Sequence, residues 1–164
     1  MPQLKVRDVI RAVEALAPPG LAYSWDRIGL HTGRPDADTA HAFVTLSVTN
    51  ESVAAACGAG ADLIVSHHPL IWEPLKDLRD DNPVARLCLD VARAKIACFA
   101  AHTNLDVTPG GVNDVLAQRI GLKTVSPLLR VPHAELLKLI TFVPRDSLAK
   151  VREAVCNAGA GVIG

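Results

Sequence analysis

The chain has 164 residues, a formal net charge of zero and a pI near 7.0, with 49% of its residues hydrophobic and only 4% aromatic. That length and apolar content suit one domain, or one domain and part of a second, around an aliphatic core. The neutral balance argues against a nucleic-acid binder, which usually carries a basic face, and leaves room for a nucleotide or other small-molecule ligand. No apolar run reaches the roughly 18 to 20 residues of a membrane span. The residues after Met1 run into KVRDVIRAVEAL, which is amphipathic rather than a continuous apolar signal segment. No membrane association and a cytoplasmic location are therefore expected.

Val6, Val9, Ile10, Val13 and Leu16 recur at helical spacing, and Pro18-Pro19-Gly20 ends that helix. The stretch LAYSWDRIGLHTGRPDADTA reads as a loop, and HAFVTLSVT as a strand. Thr49 or Asn50 can cap the next helix, NESVAAACGAG. DLIVS is a short strand with an unbroken apolar middle, as expected when both faces of a sheet are covered. After the charged loop EPLKDLRDD, Asn82 as cap and Pro83 in the first turn predict a helix with Val84, Leu87, Cys88 and Val91 on its apolar face. IACFAA is a further strand. The helix GVNDVLAQRIGL follows, with Val112, Val115, Leu116 and Ile120 as its apolar residues. Strands alternating with helices predict an α/β fold, a parallel or mostly parallel sheet covered by helices on both faces.

SPLLRVP reads as a connector. Beyond it, the strand LLKLITFVP and the helix RDSLAKVREAVCNAGAG predict the start of a second small α+β domain. The expected division is 1–128 and 134–164. Cys57, Cys88, Cys98 and Cys156 lie far apart and outside any CxxC, so buried free thiols are expected. The glycine-rich GAGAD and NAGAGVIG lack the GxxxxGK[ST] pattern of a phosphate loop and read as helix ends.

Chemistry gathers outside the carboxyl ends of parallel strands. His67 and His68 follow DLIVS, and His102 and Asp106 follow IACFAA. If those strands are neighbours, three imidazoles and a carboxylate converge. Adjacent strand residues face opposite ways, so His67 and His68 can share a site only where the chain has already bent, which Pro69 favours. Metal binding would turn the imidazole pair from a burial cost into ligands. Hydrogen-bonded polar residues at a strand end remain the alternative. Imidazole with carboxylate suits zinc, iron, manganese or nickel without choosing among them. His31, His41 and His133 are read as structural or surface residues.

ADLIVSHHPLIWEPLK, AHTNLDVTPGGVNDVLAQRIGL and WDRIGLHTG together resemble the Nif-three-like dinuclear metal-centre proteins, also known as GTP cyclohydrolase I type 2 homologues. The similarity runs from about residue 5 to 125. It implies an α/β fold, two divalent metal ions, a toroidal homo-hexamer and a cytoplasmic protein. His67 and His68 are similar to paired ligands, one for each metal, and Asp106 to a carboxylate ligand. The resemblance places His102 near the metals, behind the ligands, and Asp26 as a loop-organising or substrate-facing residue. Residues 135 to 164 are similar to the start of a PII-like or CutA-like insert. Longer relatives continue into a half that supplies a further His and a metal-bridging Glu, and this sequence ends before it, so an incomplete site is expected. The implied activity is metal-dependent hydrolysis of a nucleotide, with water attacking a purine ring carbon. The alternative is a metal-binding scaffold or regulatory interaction protein without turnover.

Overall fold

A four-stranded sheet in the order β1-β4-β3-β2 sits between helices in the computed structural model, which describes residues 3–128 and 138–161. The chain divides into two units, Met1–Leu128 and Leu129–Gly164. In the first, α1 (Val6–Leu16) and a 3-10 turn (Pro19–Leu21) precede β1 (Gly29–Thr32) and β2 (Ala42–Thr45). Then come α2 (Asn50–Gly58), β3 (Leu63–Ser66), α3 (Pro83–Arg93), β4 (Ala97–Ala100), α4 (Thr103–Val107) and α5 (Val112–Arg119).

β2, β3 and β4 are parallel, joined through α2 and α3. Alternation along the strands feeds two cores. Ile64 and Cys98 face α2 and α3, packing with Val53, Ala56, Cys88 and Val91. Leu63, Ala97 and Phe99 face α1, packing with Val6, Val9, Ile10 and Val13. Helices thus cover both faces. Leu16, expected on the buried face of α1, is 73% exposed, because the helix ends there and the chain turns away.

Caps explain the helix starts. Thr49 accepts the Ser52 N–H at 3.2 Å, and Ser52 Oγ accepts the Thr49 N–H at 2.8 Å. Asn82 Oδ1 accepts the Val84 and Ala85 N–H groups, with Pro83 opening α3. The free N–H groups of α1 are taken by the carbonyls of Ala37 and Pro35, at 2.9 Å each. The Lys5–Asp38 and Arg7–Asp36 ion pairs close the same junction.

The loop expected over residues 21–40 contains a strand, β1, which pairs antiparallel with β4: Gly29 opposes Ala100 and Leu30 opposes Phe99. The register shifts between Leu30 and Thr32, leaving His31 at a bulge. Gly33 closes the strand at φ +98°, where an added Cβ would lie 2.6 Å from the Ala97 side chain. Short length, a bulge and flanking glycines hide this strand from any periodicity, and pairing alone creates it.

Two further expectations change. Val112, Val115 and Leu116 of α5 and Ile120 at its C-terminal cap are 40–65% exposed. Of the four thiols, Cys88 and Cys98 are buried, while Cys57 and Cys156 are exposed on helices. Burial pushes the Cys98 thiol up to about 11.

The second unit carries a 3-10 turn (Arg145–Ser147) and α6 (Leu148–Asn157). Residues 138–144, most of the expected strand LLKLITFVP, have no regular structure, and Leu139, Ile140 and Phe142 are exposed. A strand needs a partner to satisfy its backbone, and none is described in this unit. Leu136, Leu137 and His133 lie outside the described residues.

Candidate metal centre

The carboxyl ends of β2, β3 and β4 meet at one edge of the sheet. Ser47 follows β2, His67 and His68 follow β3, and His102 follows β4. β3 ends at Ser66, whose hydroxyl donates to the His68 carbonyl at 2.9 Å and closes a bend. The His67 and His68 N–H groups still reach the Thr45 and Leu46 carbonyls, at 3.2 and 2.8 Å. The bend brings the two rings to one side, with centroids 5.2 Å apart. His102 joins them, 5.0 Å from the His67 ring and 5.8 Å from the His68 ring. Each of the three offers a ligand nitrogen, all within 4.8 Å of one another.

The other ring nitrogens decide what this cluster can do. His67 Nδ1 lies 3.1 Å from the Ala101 carbonyl, to which it must donate. His102 Nδ1 lies 2.8 Å from Asp26 Oδ1, again as donor. His68 Nδ1 is 2.7 Å from the Ser47 hydroxyl. All three rings are held through Nδ1, which leaves Nε2 to face the cluster. This is how proteins fix the tautomer and aim of metal-binding imidazoles.

Asp106 lies one helical turn beyond His102, its N–H on the His102 carbonyl at 3.1 Å. Its Oδ1 is 3.5 Å from His67 Nε2. Asn104 fastens this turn: its side chain accepts the His102 N–H at 2.9 Å and donates to the Ala17 carbonyl at 2.7 Å.

Asp26 stands beneath His102, its side chain only 1% exposed. It accepts from His102, the Thr103 hydroxyl, the Thr103 N–H at 3.0 Å and the Arg27 N–H at 2.6 Å. Burial raises its pKa, but these hydrogen bonds outweigh burial and hold it at about 2. An anion is therefore kept under the imidazole.

His31 lies apart from the cluster. Its Nε2 donates to the Arg27 carbonyl at 2.8 Å, and its Nδ1 accepts the Ile71 N–H at 3.3 Å. Burial pushes its pKa below the ordinary value, only partly offset by the Arg27 carbonyl and the Asp26 charge. His41 is exposed and lies 3.2 Å from the Gly60 carbonyl.

Sequence reasoning missed Ser47, Thr103 and the aromatics Tyr23, Trp25 and Trp72. Trp25 and Trp72 lie within the stretches WDRIGLHTG and ADLIVSHHPLIWEPLK. Ser47 and Thr103 carry no signal beyond lying next to strand ends.

The fold and the site define an α/β protein with a histidine cluster at the carboxyl edge of a mostly parallel sheet. Residues 4–164 match the Duf34/NIF3 (NGG1p interacting factor 3) family, and the chain belongs to that family. It is similar to the GTP cyclohydrolase 1 type 2 homolog of Bacillus subtilis, 39% identical over 158 residues, covering 96% of this chain and 42% of that protein. The homolog from Halalkalibacterium halodurans is 38% identical over 156 residues, covering 95% and 42%. Among solved structures, a Bacillus cereus protein related to NIF3 matches with a TM-score of 0.76 at 34% identity, covering 100% of this chain and 45% of that one. Reduced HcgD from Methanocaldococcus jannaschii matches with a TM-score of 0.71 at 29% identity, covering 77% and 51%. The chain spans about two fifths of the length of these curated relatives. Among the described residues, no helix is long and apolar enough to cross a membrane.

Proposed function

We propose that this chain supplies the histidine side of a metal-dependent hydrolytic site acting on a nucleotide. The observation that carries the reading is the shared arrangement of His67, His68 and His102, each held through Nδ1 and each offering a ligand nitrogen within 4.8 Å of the others. Such a donor set fits a divalent ion with imidazole and carboxylate preference: zinc, iron, manganese or nickel. His67, His68 and Asp106 are the proposed ligands, with two ions shared among them and groups from elsewhere. His102 lies close enough to join them. A divalent ion held there would supply Lewis-acid polarisation of a ring carbon or phosphoryl group.

The chain's own residues have separate tasks. The Ala101 carbonyl and the Asp26 carboxylate accept from His67 Nδ1 and His102 Nδ1, so Nε2 is the ring nitrogen left free to ligate in each. Asp106 brings negative charge beside His67 to offset a cation. The relatives named GTP cyclohydrolase 1 type 2 homolog support a purine nucleotide as the substrate class. Homo-oligomerisation, with a hexamer as the proposed state, would bring copies of this edge together.

The test is elemental analysis of native chain and of His67→Ala/His68→Ala, both purified without chelator, with GTP turnover measured in parallel. Metal in the native chain, lost from the variant together with turnover, supports the reading. Equal metal content in both overturns the site. Metal lost without any turnover to lose would leave a binding scaffold and overturn the hydrolase.

A further inference from the structure

The chain contains two tryptophans and one tyrosine, and all three stand together beside the histidine cluster. Tyr23 and Trp25 stack, with centroids 5.4 Å apart and planes 6° from parallel. Trp25 and Trp72 are 5.9 Å apart, inclined at 59°. Trp72 meets the His102 ring at 5.9 Å and 88°. A continuous aromatic path thus runs from the protein surface to the imidazoles. Its members are 40% (Tyr23), 54% (Trp25) and 44% (Trp72) exposed. A core role would bury them, and scattered surface aromatics would not line up on a candidate metal centre.

Both sides of the path are anchored. The Tyr23 N–H donates to Thr103 Oγ1 at 3.1 Å, and the Asp26 N–H to the Tyr23 carbonyl at 3.0 Å. The Asp26 side chain is bound in turn to Thr103 and His102. On the other side, His31 ties the Ile71 N–H, next to Trp72, to the Arg27 carbonyl, two residues beyond Trp25. The backbone that carries the rings is therefore held before any ligand arrives, which lowers the ordering cost of binding.

The geometry points to Trp25, backed by Tyr23, as a stacking platform for a planar heteroaromatic ring, the base of a mononucleotide, with Trp72 inclined at 59° to close the edge of that ring. The platform offers π-faces with few hydrogen-bond donors, so it recognises the ring by stacking. The Trp72–His102 contact sets one edge of the bound ring against the imidazoles. The identity of the ring as a purine rests on the nucleotide reading above. Stacking itself requires only a flat π-system. His31 acts here as a positioning residue through Ile71.

Equilibrium dialysis against GMP and against ribose 5-phosphate tests the platform, using the full chain both metal-loaded and chelator-treated. The expected result is saturable GMP binding, weak or absent binding of ribose 5-phosphate, and GMP affinity about tenfold lower in Trp72→Leu and in Trp25→Leu. Trp72→Phe, which keeps a ring, should retain most of the affinity, and metal content should be unchanged in all three variants. Equal binding of the two ligands overturns the platform, as does native affinity for GMP in both leucine variants or no GMP binding in either native preparation. GMP binding that persists after chelation and in His67→Ala/His68→Ala upholds the platform even if the hydrolytic reading fails. Metal and turnover that survive in both leucine variants with undiminished GMP affinity would sink the platform alone.

Discussion

His102 donates its Nδ1 proton to Asp26 at 2.8 Å, across 76 positions of sequence. The bond joins the loop before β1 to the end of β4 and fixes the aim of one imidazole of the cluster. Asp26→Asn keeps the shape but removes the anion. Metal affinity should fall about 10- to 100-fold. Asp26→Ala should also cost about 2 to 3 kcal/mol of stability, since it leaves the Thr103 N–H and other donors without an acceptor. Metal titration followed by thermal unfolding of both variants checks this. Unchanged metal affinity in Asp26→Asn would show that the bond serves folding alone.

Ser47 holds His68 at 2.7 Å, and His68 is exposed, so its aim depends on fewer partners than that of His102. Ser47→Ala should weaken metal binding by about tenfold, the lower end of what such supporting bonds contribute. Folding stability should barely move. Competition with a chromophoric chelator would measure the change, and a native value would mean that water replaces the hydroxyl without loss.

His31 is held neutral, with its pKa pushed below 6.5 by burial. A histidine whose folded pKa is depressed stabilises the fold above its unfolded value. That contribution is lost as pH falls from about 6.5 through the folded pKa, with a slope of up to about 1.4 kcal/mol per pH unit. The protonated ring also loses its acceptor for the Ile71 N–H. Melting temperatures of native chain and His31→Asn should converge as the pH drops from 7 toward 5, with the native chain higher at pH 7. Parallel curves would refute the assignment.

Gly111 leaves room for α4, which carries Asp106. A Cβ there would lie 2.1 Å from the Leu105 carbonyl oxygen and 2.7 Å from that of Thr108. Gly111→Ala must shift backbone rather than a flexible side chain, so a loss of about 3 kcal/mol is expected, with weaker metal binding as Asp106 moves. Denaturant unfolding would show it. Native stability would mean that α4 can slide freely, and Asp106 would then be a poorly placed ligand.

Much of this was legible from residue order. Asn82-Pro83 and Thr49 announce helix starts because capping is local chemistry. The apolar runs 63–65 and 96–101 announce buried strands because both their faces are covered. The imidazole pair is equally plain, since Pro69 follows it and a bend can turn both rings one way. The apolar stripe of α5 shows the opposite case. Its spacing was readable, but whether anything covers it is not written in the helix.

The local code determined α1, α2, α3, α5 and α6, the three parallel strands and the donors at two strand ends, because caps, turn residues and buried apolar runs act over a few positions, whereas the short α4 carries no such signal. Tertiary pairing decided the rest. β1 has one apolar side chain, Leu30, is bulged at His31 and is only four residues long, and it exists because β4 offers it an edge. Its antiparallel direction sets Gly29 opposite Ala100, at the end of β4 that leads into His102. Asp26, Trp25 and Tyr23 precede β1, so that pairing delivers a buried carboxylate beneath His102 and an aromatic path beside it. No spacing in the sequence encodes that meeting, because strand direction is chosen by the partner and not by the strand.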